Sequence, residues 1–213
     1  MRHITCTARA VVLPAILVAA IAIGACGGNP AAPGPAVDPS VLPSMTLMLA
    51  EKSLGSPTAP NTIIEFSSFT CPHCADFHVD TFPQLKLNYI DKDLVRFVFV
   101  NSPRDQDKDL TAAMLARCAG DRYFDAVGAI FASQGTWYGA STTAPLENVM
   151  RQFGMSQQVI DACKASTTLR DGILKMEQDG LRLYNYQGVP AFIVNGTKLE
   201  GNWPLPAIVA LFH

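Results

Sequence analysis

The chain has 213 residues, a formal net charge of −2 and 49% hydrophobic residues. That length fits one globular domain with appendages, and the charge balance gives no basis for a nucleic-acid partner.

The N-terminus reads as a targeting segment, not as fold. Arg2 and Arg9 form a positive region, and residues 11–22 are an apolar run too short to cross a bilayer comfortably. Ile23-Gly24-Ala25-Cys26 follows and resembles a bacterial lipobox, whose cysteine is lipidated and becomes the new N-terminus. On this reading residues 1–25 are a lipoprotein signal peptide and Cys26 carries the lipid. The alternatives are an ordinary signal peptide cut near Ala25 and an uncleaved anchor. Cleavage removes two of the sixteen basic residues and leaves fourteen against eighteen acidic ones, a mature charge near −4. A diacylglycerol thioether plus an N-acyl chain exceeds what stable anchoring requires. Residues 26–44 are rich in Pro, Gly and Ala, with no apolar period. They predict a tether that holds the domain, residues 45–213, off a membrane surface.

Within that domain, Met45–Leu49 could be an initial strand, and Leu54–Pro60 is a loop. Thr62–Ser67 is an apolar run interrupted by Glu65, which predicts a central strand buried on both faces. A charge there is costly unless paired or protonated. Burial would raise its pKa and suit it to proton relay; the other reading is a strand-end glutamate with its head in water.

Thr70-Cys71-Pro72-His73-Cys74 comes next. Proline is favoured at the first helical position, so Pro72 places Cys71 at a helix N-terminus. Amide donors and the positive dipole end favour a thiolate there. Cys71 is the candidate nucleophile, and Cys74, one turn further in, the resolving cysteine. His73 lies between them and can stabilise a neighbouring thiolate. The helix is expected to run to about Ile90. His78 shares a face with the two cysteines, which makes a Cys-Cys-His metal site conceivable; the favoured reading is a solvent-facing histidine.

Leu94–Val100 is a second strong strand, and it completes a β-α-β unit with parallel pairing. Residues 105–186 carry helical signal only, punctuated by Gly120, Gly135, Gly139 and Gly154. Ala191–Val194 and Thr197–Glu200 flank Asn195-Gly196, a strong hairpin signal. Pro206–Phe212 predicts a closing helix. Trp137 and Trp203 read as packing or rim residues.

Six cysteines divide between these features. Cys6 leaves with the signal peptide, Cys26 takes the lipid, and Cys71 and Cys74 form the motif. Cys118 and Cys163 remain, and an oxidising compartment favours a disulfide between them over two buried free thiols.

The order β-α-β, helical block, β-hairpin, α fits a thioredoxin fold, an α/β class, with an inserted all-helical domain at about 105–186. Here the sequence strongly resembles the DsbA family of bacterial thiol:disulfide oxidoreductases. Glu65-Phe66-Ser67, the motif Cys71-Pro72-His73-Cys74 and Gly188-Val189-Pro190-Ala191-Phe192-Ile193-Val194-Asn195-Gly196 carry the resemblance. It implies a cis-proline at Pro190 that packs opposite the dithiol, with the backbone of Val189 pairing to an extended substrate; a trans proline opening a strand is the alternative. It also implies a buried acid at Glu65. The function it implies is donation of the Cys71–Cys74 disulfide to reduced exported proteins. Re-oxidation would come from a quinone-linked, DsbB-like membrane partner, and no bound cofactor is needed. An isomerase or reductase of the same fold, and a Cys/His metal-binding module, are the alternatives.

Overall fold

A computed structural model describes residues 41–213; the expected signal peptide, Cys26 and most of the expected tether lie outside the described residues. A single five-stranded sheet has the order β1-β3-β2-β4-β5. Its strands are β1 (Lys52–Leu54), β2 (Asn61–Ser67), β3 (Val95–Asn101), β4 (Ala191–Val194) and β5 (Thr197–Glu200). Only β2 and β3 pair in parallel, with Ser67 opposite Asn101; the other neighbours are antiparallel. Asn195 and Gly196 both take positive φ, at 49° and 86°, as a two-residue hairpin requires.

Met45–Leu49 is a helix, α1, and not the expected strand; the first strand begins at Lys52. A five-residue apolar run carries no decisive period, so its flanks decide. Ser44 caps the N-terminus by accepting the Leu47 N–H at 3.3 Å. Two cations occupy the carbonyl end. Lys52 Nζ donates to Leu47 O at 2.9 Å, and Arg117 Nη1 donates to Met48 O at 2.7 Å.

The helix after β2 spans 72–90 as one rod, α2, but with an irregular interior. Helical turns Pro72–Asp76 and Phe82–Leu85 alternate with π segments Phe77–Thr81 and Lys86–Ile90. Pro83 has no N–H to give to the preceding turn, and a widened turn accommodates that loss.

The insertion comprises α3 (Lys108–Cys118), a 3₁₀ turn (Gly120–Arg122), α4 (Tyr123–Ala132), α5 (Gln134–Trp137), α6 (Ala144–Arg151), α7 (Gln157–Lys164) and α8 (Thr167–Tyr184). The last helix is α9 (Leu205–Val209). Cys118 and Cys163 are bonded to each other and tie α3 to α7. Odd residues of β2 and β3, among them Ile63, Phe97 and Phe99, enter the main core with α2 and the insertion. Phe66, Ala191 and Ile193 face the other way and pack with Tyr186. Among the described residues no helix is long and apolar enough to cross a membrane.

Gly55 directly follows β1 with φ +80°, and a Cβ there would lie 2.2 Å from the Val95 carbonyl oxygen. Gly55→Ala therefore strains the backbone and collides with backbone that cannot yield. Chemical denaturation should show a loss of about 2 kcal/mol or more, with the slope unchanged.

Candidate active site

The dithiol stands on a turn at the end of β2, and the insertion holds that turn. Asp109, near the start of α3, is 1% exposed. Its carboxylate accepts the Phe69 N–H at 2.8 Å, the Arg104 N–H at 2.8 Å, the Thr70 hydroxyl at 3.2 Å and the Ser68 hydroxyl. Burial pushes its pKa above the usual carboxylate value, and those four donors oppose the rise. From α5, Gln134 Nε2 donates to the carbonyls of Phe69 at 2.7 Å and Cys71 at 3.0 Å. Sequence reasoning missed both residues. A lone acid in a helical block carries no local signal of a partner forty residues away.

Cys71 is the N-cap residue of α2, with extended backbone, and Pro72 occupies the first turn. It is partly exposed, whereas Cys74 is fully buried. The two sulfurs are therefore unlike. The Cys71 pKa is lowered to about 6, first by the hydrogen bond from the Cys74 thiol and then by the N–H groups of Cys74 and His73. The His73 imidazole contributes least among these causes. It is an open group, 71% exposed, with Nδ1 3.5 Å from Asp76. The Cys74 thiol is pushed the other way, by burial first, then by Cys71 and by the Glu65 charge.

The Val189–Pro190 peptide bond is cis. As a thiol, Cys71 donates to the Val189 carbonyl at 3.4 Å, so chain segments 118 residues apart meet at the Cys71 sulfur. The Pro190 carbonyl accepts the Gly201 N–H at 2.8 Å.

Glu65 is completely buried, with its head against His78 and not in water; the nearer oxygen lies 2.9 Å from Nε2. The expected solvent-facing position of His78 is thus overturned. The helix turns His78 inward because Phe131 stacks on its ring at 4.3 Å and Glu65 supplies its hydrogen-bond partner. Among the described residues no group of three His, Cys, Asp or Glu side chains is placed to hold a metal ion. Trp137 is buried and donates to Ile130 O; Trp203 is 37% exposed and donates to Glu200 O.

Comparison with known proteins follows this geometry. The family described as Thioredoxin matches residues 49–211. A Rickettsia typhi protein, named provisionally as a protein-disulfide oxidoreductase, is 31% identical over 150 residues, which are 69% of this chain and 55% of that protein. The chain thus spans about half the length of the curated relatives it matches first. Disulfide bond formation protein D of Bacillus subtilis is 46% identical over 48 residues, 22% of each chain. Among solved structures, alpha-DsbA1 of Wolbachia pipientis superposes with a TM-score of 0.71 at 27% identity, over 80% of this chain and 91% of that one.

A thiolate absorbs near 240 nm, so reduced protein should titrate there with a midpoint at about 6, and Cys71→Ser should remove that titration. The folded pKa lies below the usual value of 9.0. Ionisation therefore stabilises the reduced fold fully above the usual value, less as the pH falls, and not at all below about 6. Denaturation of reduced wild type and Cys71→Ser across that range checks the sign.

Proposed function

The chain belongs to the DsbA family of thioredoxin-fold thiol:disulfide oxidoreductases, and from that premise we propose that it donates its Cys71–Cys74 disulfide to reduced exported proteins. The observation that carries the reading is the asymmetry of the pair, an accessible Cys71 with a pKa of about 6 beside a buried Cys74. An attacking substrate thiolate can reach Cys71. Cys71 is also the better leaving thiolate when the substrate's second thiol resolves the mixed disulfide. Pro72 opens the helix whose first-turn N–H groups stabilise that thiolate, and its stability makes the disulfide an oxidant. The backbone at the partly buried Val189, just before Pro190 and beside Cys71, is the edge against which an extended substrate pairs. Glu65 serves proton transfer to and from Cys74.

The disulfide spent on substrate is restored by a membrane partner, by family resemblance quinone-linked and DsbB-like. Cys26 carries the lipid, residues 1–25 are removed and residues 26–44 tether the domain, which faces the periplasm of a bacterial envelope. Cys118–Cys163 has a structural role. Replacing both by Ala should lower stability by roughly 4 kcal/mol in the chain-entropy picture, without slowing substrate oxidation.

Oxidation of a reduced, unfolded protein substrate tests the proposal. Wild type should restore substrate activity, and Cys71→Ser should not differ from buffer. Equal rates for the two would end it. A strongly reducing potential for the Cys71–Cys74 pair would instead favour an isomerase or reductase of the same fold.

A further inference from the structure

Behind Cys74 sits a histidine that the exchange chemistry leaves unused. His78 lies one turn further along α2, and its side chain is 1% exposed against 0% for Glu65. Nε2 stands 2.9 Å and 3.2 Å from the two Glu65 oxygens. Phe131 stacks on the imidazole at 4.3 Å, and Phe82, Phe77 and Phe99 close the other sides at 5.0, 5.4 and 5.4 Å. Such a dry aromatic box makes an unpaired charge expensive, so the two groups act as a unit.

Few other polar groups face this pair. Cys74, from the same rod, feels the Glu65 charge directly. Tyr123, from α4, feels it too, together with the Arg117 guanidinium. Ser67 shares the Glu65 face of β2; its buried hydroxyl has no hydrogen-bond partner of ordinary geometry, though it opposes the rise in the Cys74 pKa. Of the groups that act on Cys74, Glu65 is the fully buried carboxylate, and it is paired to His78.

We propose that Glu65 and His78 form a single proton store for Cys74, with His78 as the positioning residue that holds the carboxylate and shares the stored proton. The inference rests on Cys71–Cys74 being the exchange centre. When a substrate thiolate attacks Cys71, a bond forms between those two sulfurs and the Cys71–Cys74 bond breaks. Cys74 leaves with the electron pair in a dry site and takes a proton from the Glu65–His78 pair. On re-oxidation by a disulfide, the Cys71 thiolate attacks one oxidant sulfur, the oxidant's S–S bond breaks, and its other sulfur leaves as a thiolate, giving a mixed disulfide at Cys71. Cys74 then attacks Cys71, its proton returns to the pair, and the oxidant sulfur bound to Cys71 departs as a thiolate.

Reaction of reduced full-length protein with glutathione disulfide separates these steps. Acid quenching and mass spectrometry follow formation of the Cys71–glutathione adduct and its decay by Cys74 attack. Three variants are compared: Glu65→Gln, His78→Phe, which keeps the stack on Phe131, and His78→Gln, which can still donate to Glu65 but cannot carry the proton. All three should form the adduct at the wild-type rate. Adduct decay at pH 7 should slow on the order of 10²-fold in each, and the gap should narrow as rising pH lets hydroxide take the Cys74 proton. Wild-type decay in His78→Phe overturns the inference. So does wild-type decay in His78→Gln, which would show that a hydrogen bond alone suffices; that variant decides the matter if His78→Phe does not fold. Absence of any Cys71 adduct in wild type would instead sink the reading of the dithiol itself.

Discussion

The carboxylate of Asp109 holds the turn on which Cys71 stands. Four donors converge on it, three of them from Ser68, Phe69 and Thr70 just before Cys71. Gln134 pins the same turn from α5 through the carbonyls of Phe69 and Cys71. The helical insertion is therefore more than a lid on the sheet. It fixes where β2 ends and α2 begins, and with that which of the two sulfurs is reachable and which is buried.

From that placement the electrostatics follow. Cys71 receives the thiol of Cys74 and the N–H groups of the first turn, and its pKa falls to about 6. Cys74 sits behind it in the core, where burial disfavours its thiolate. Two chemically identical side chains three residues apart thus acquire opposite tendencies. The His73 imidazole is the weakest of the stabilising causes because it points into solvent.

The insertion is itself anchored by polar contacts reaching outside it. Arg117 is 1% exposed, and its donors go to Asn101, to the Met48 and Ala50 carbonyls and to the Met176 sulfur. It links α3 to β3, α1 and α8 at once. The same Asn101 oxygen accepts the Tyr123 hydroxyl at 3.2 Å, which extends the link to α4. Because Asn101 pairs in register with Ser67, this buried polar strip begins beside Cys74.

Local signals made much of this legible in the sequence. A continuous apolar run at 62–67, proline after a cysteine, and Asn-Gly between short strands each encode their own element, because backbone propensity and capping act over a few residues. The dithiol, the β-α-β unit, the helical block and the hairpin are all of this kind. Met45–Leu49 went to helix because Lys52 and Arg117 reach its carbonyl end, and Arg117 lies about seventy residues away. His78 turned inward because Glu65 and Phe131 receive it. Asp109 and Gln134 acquired their place at the redox turn only when α3 and α5 docked against it. Apart from Met45–Leu49, sequence alone determined which segments would be strand or helix, and it singled out the Cys71–Cys74 pair. Tertiary structure decided the partners of Glu65, His78, Asp109 and Arg117, since a hydrogen bond in the core is set by distance in space and leaves no periodic trace along the chain.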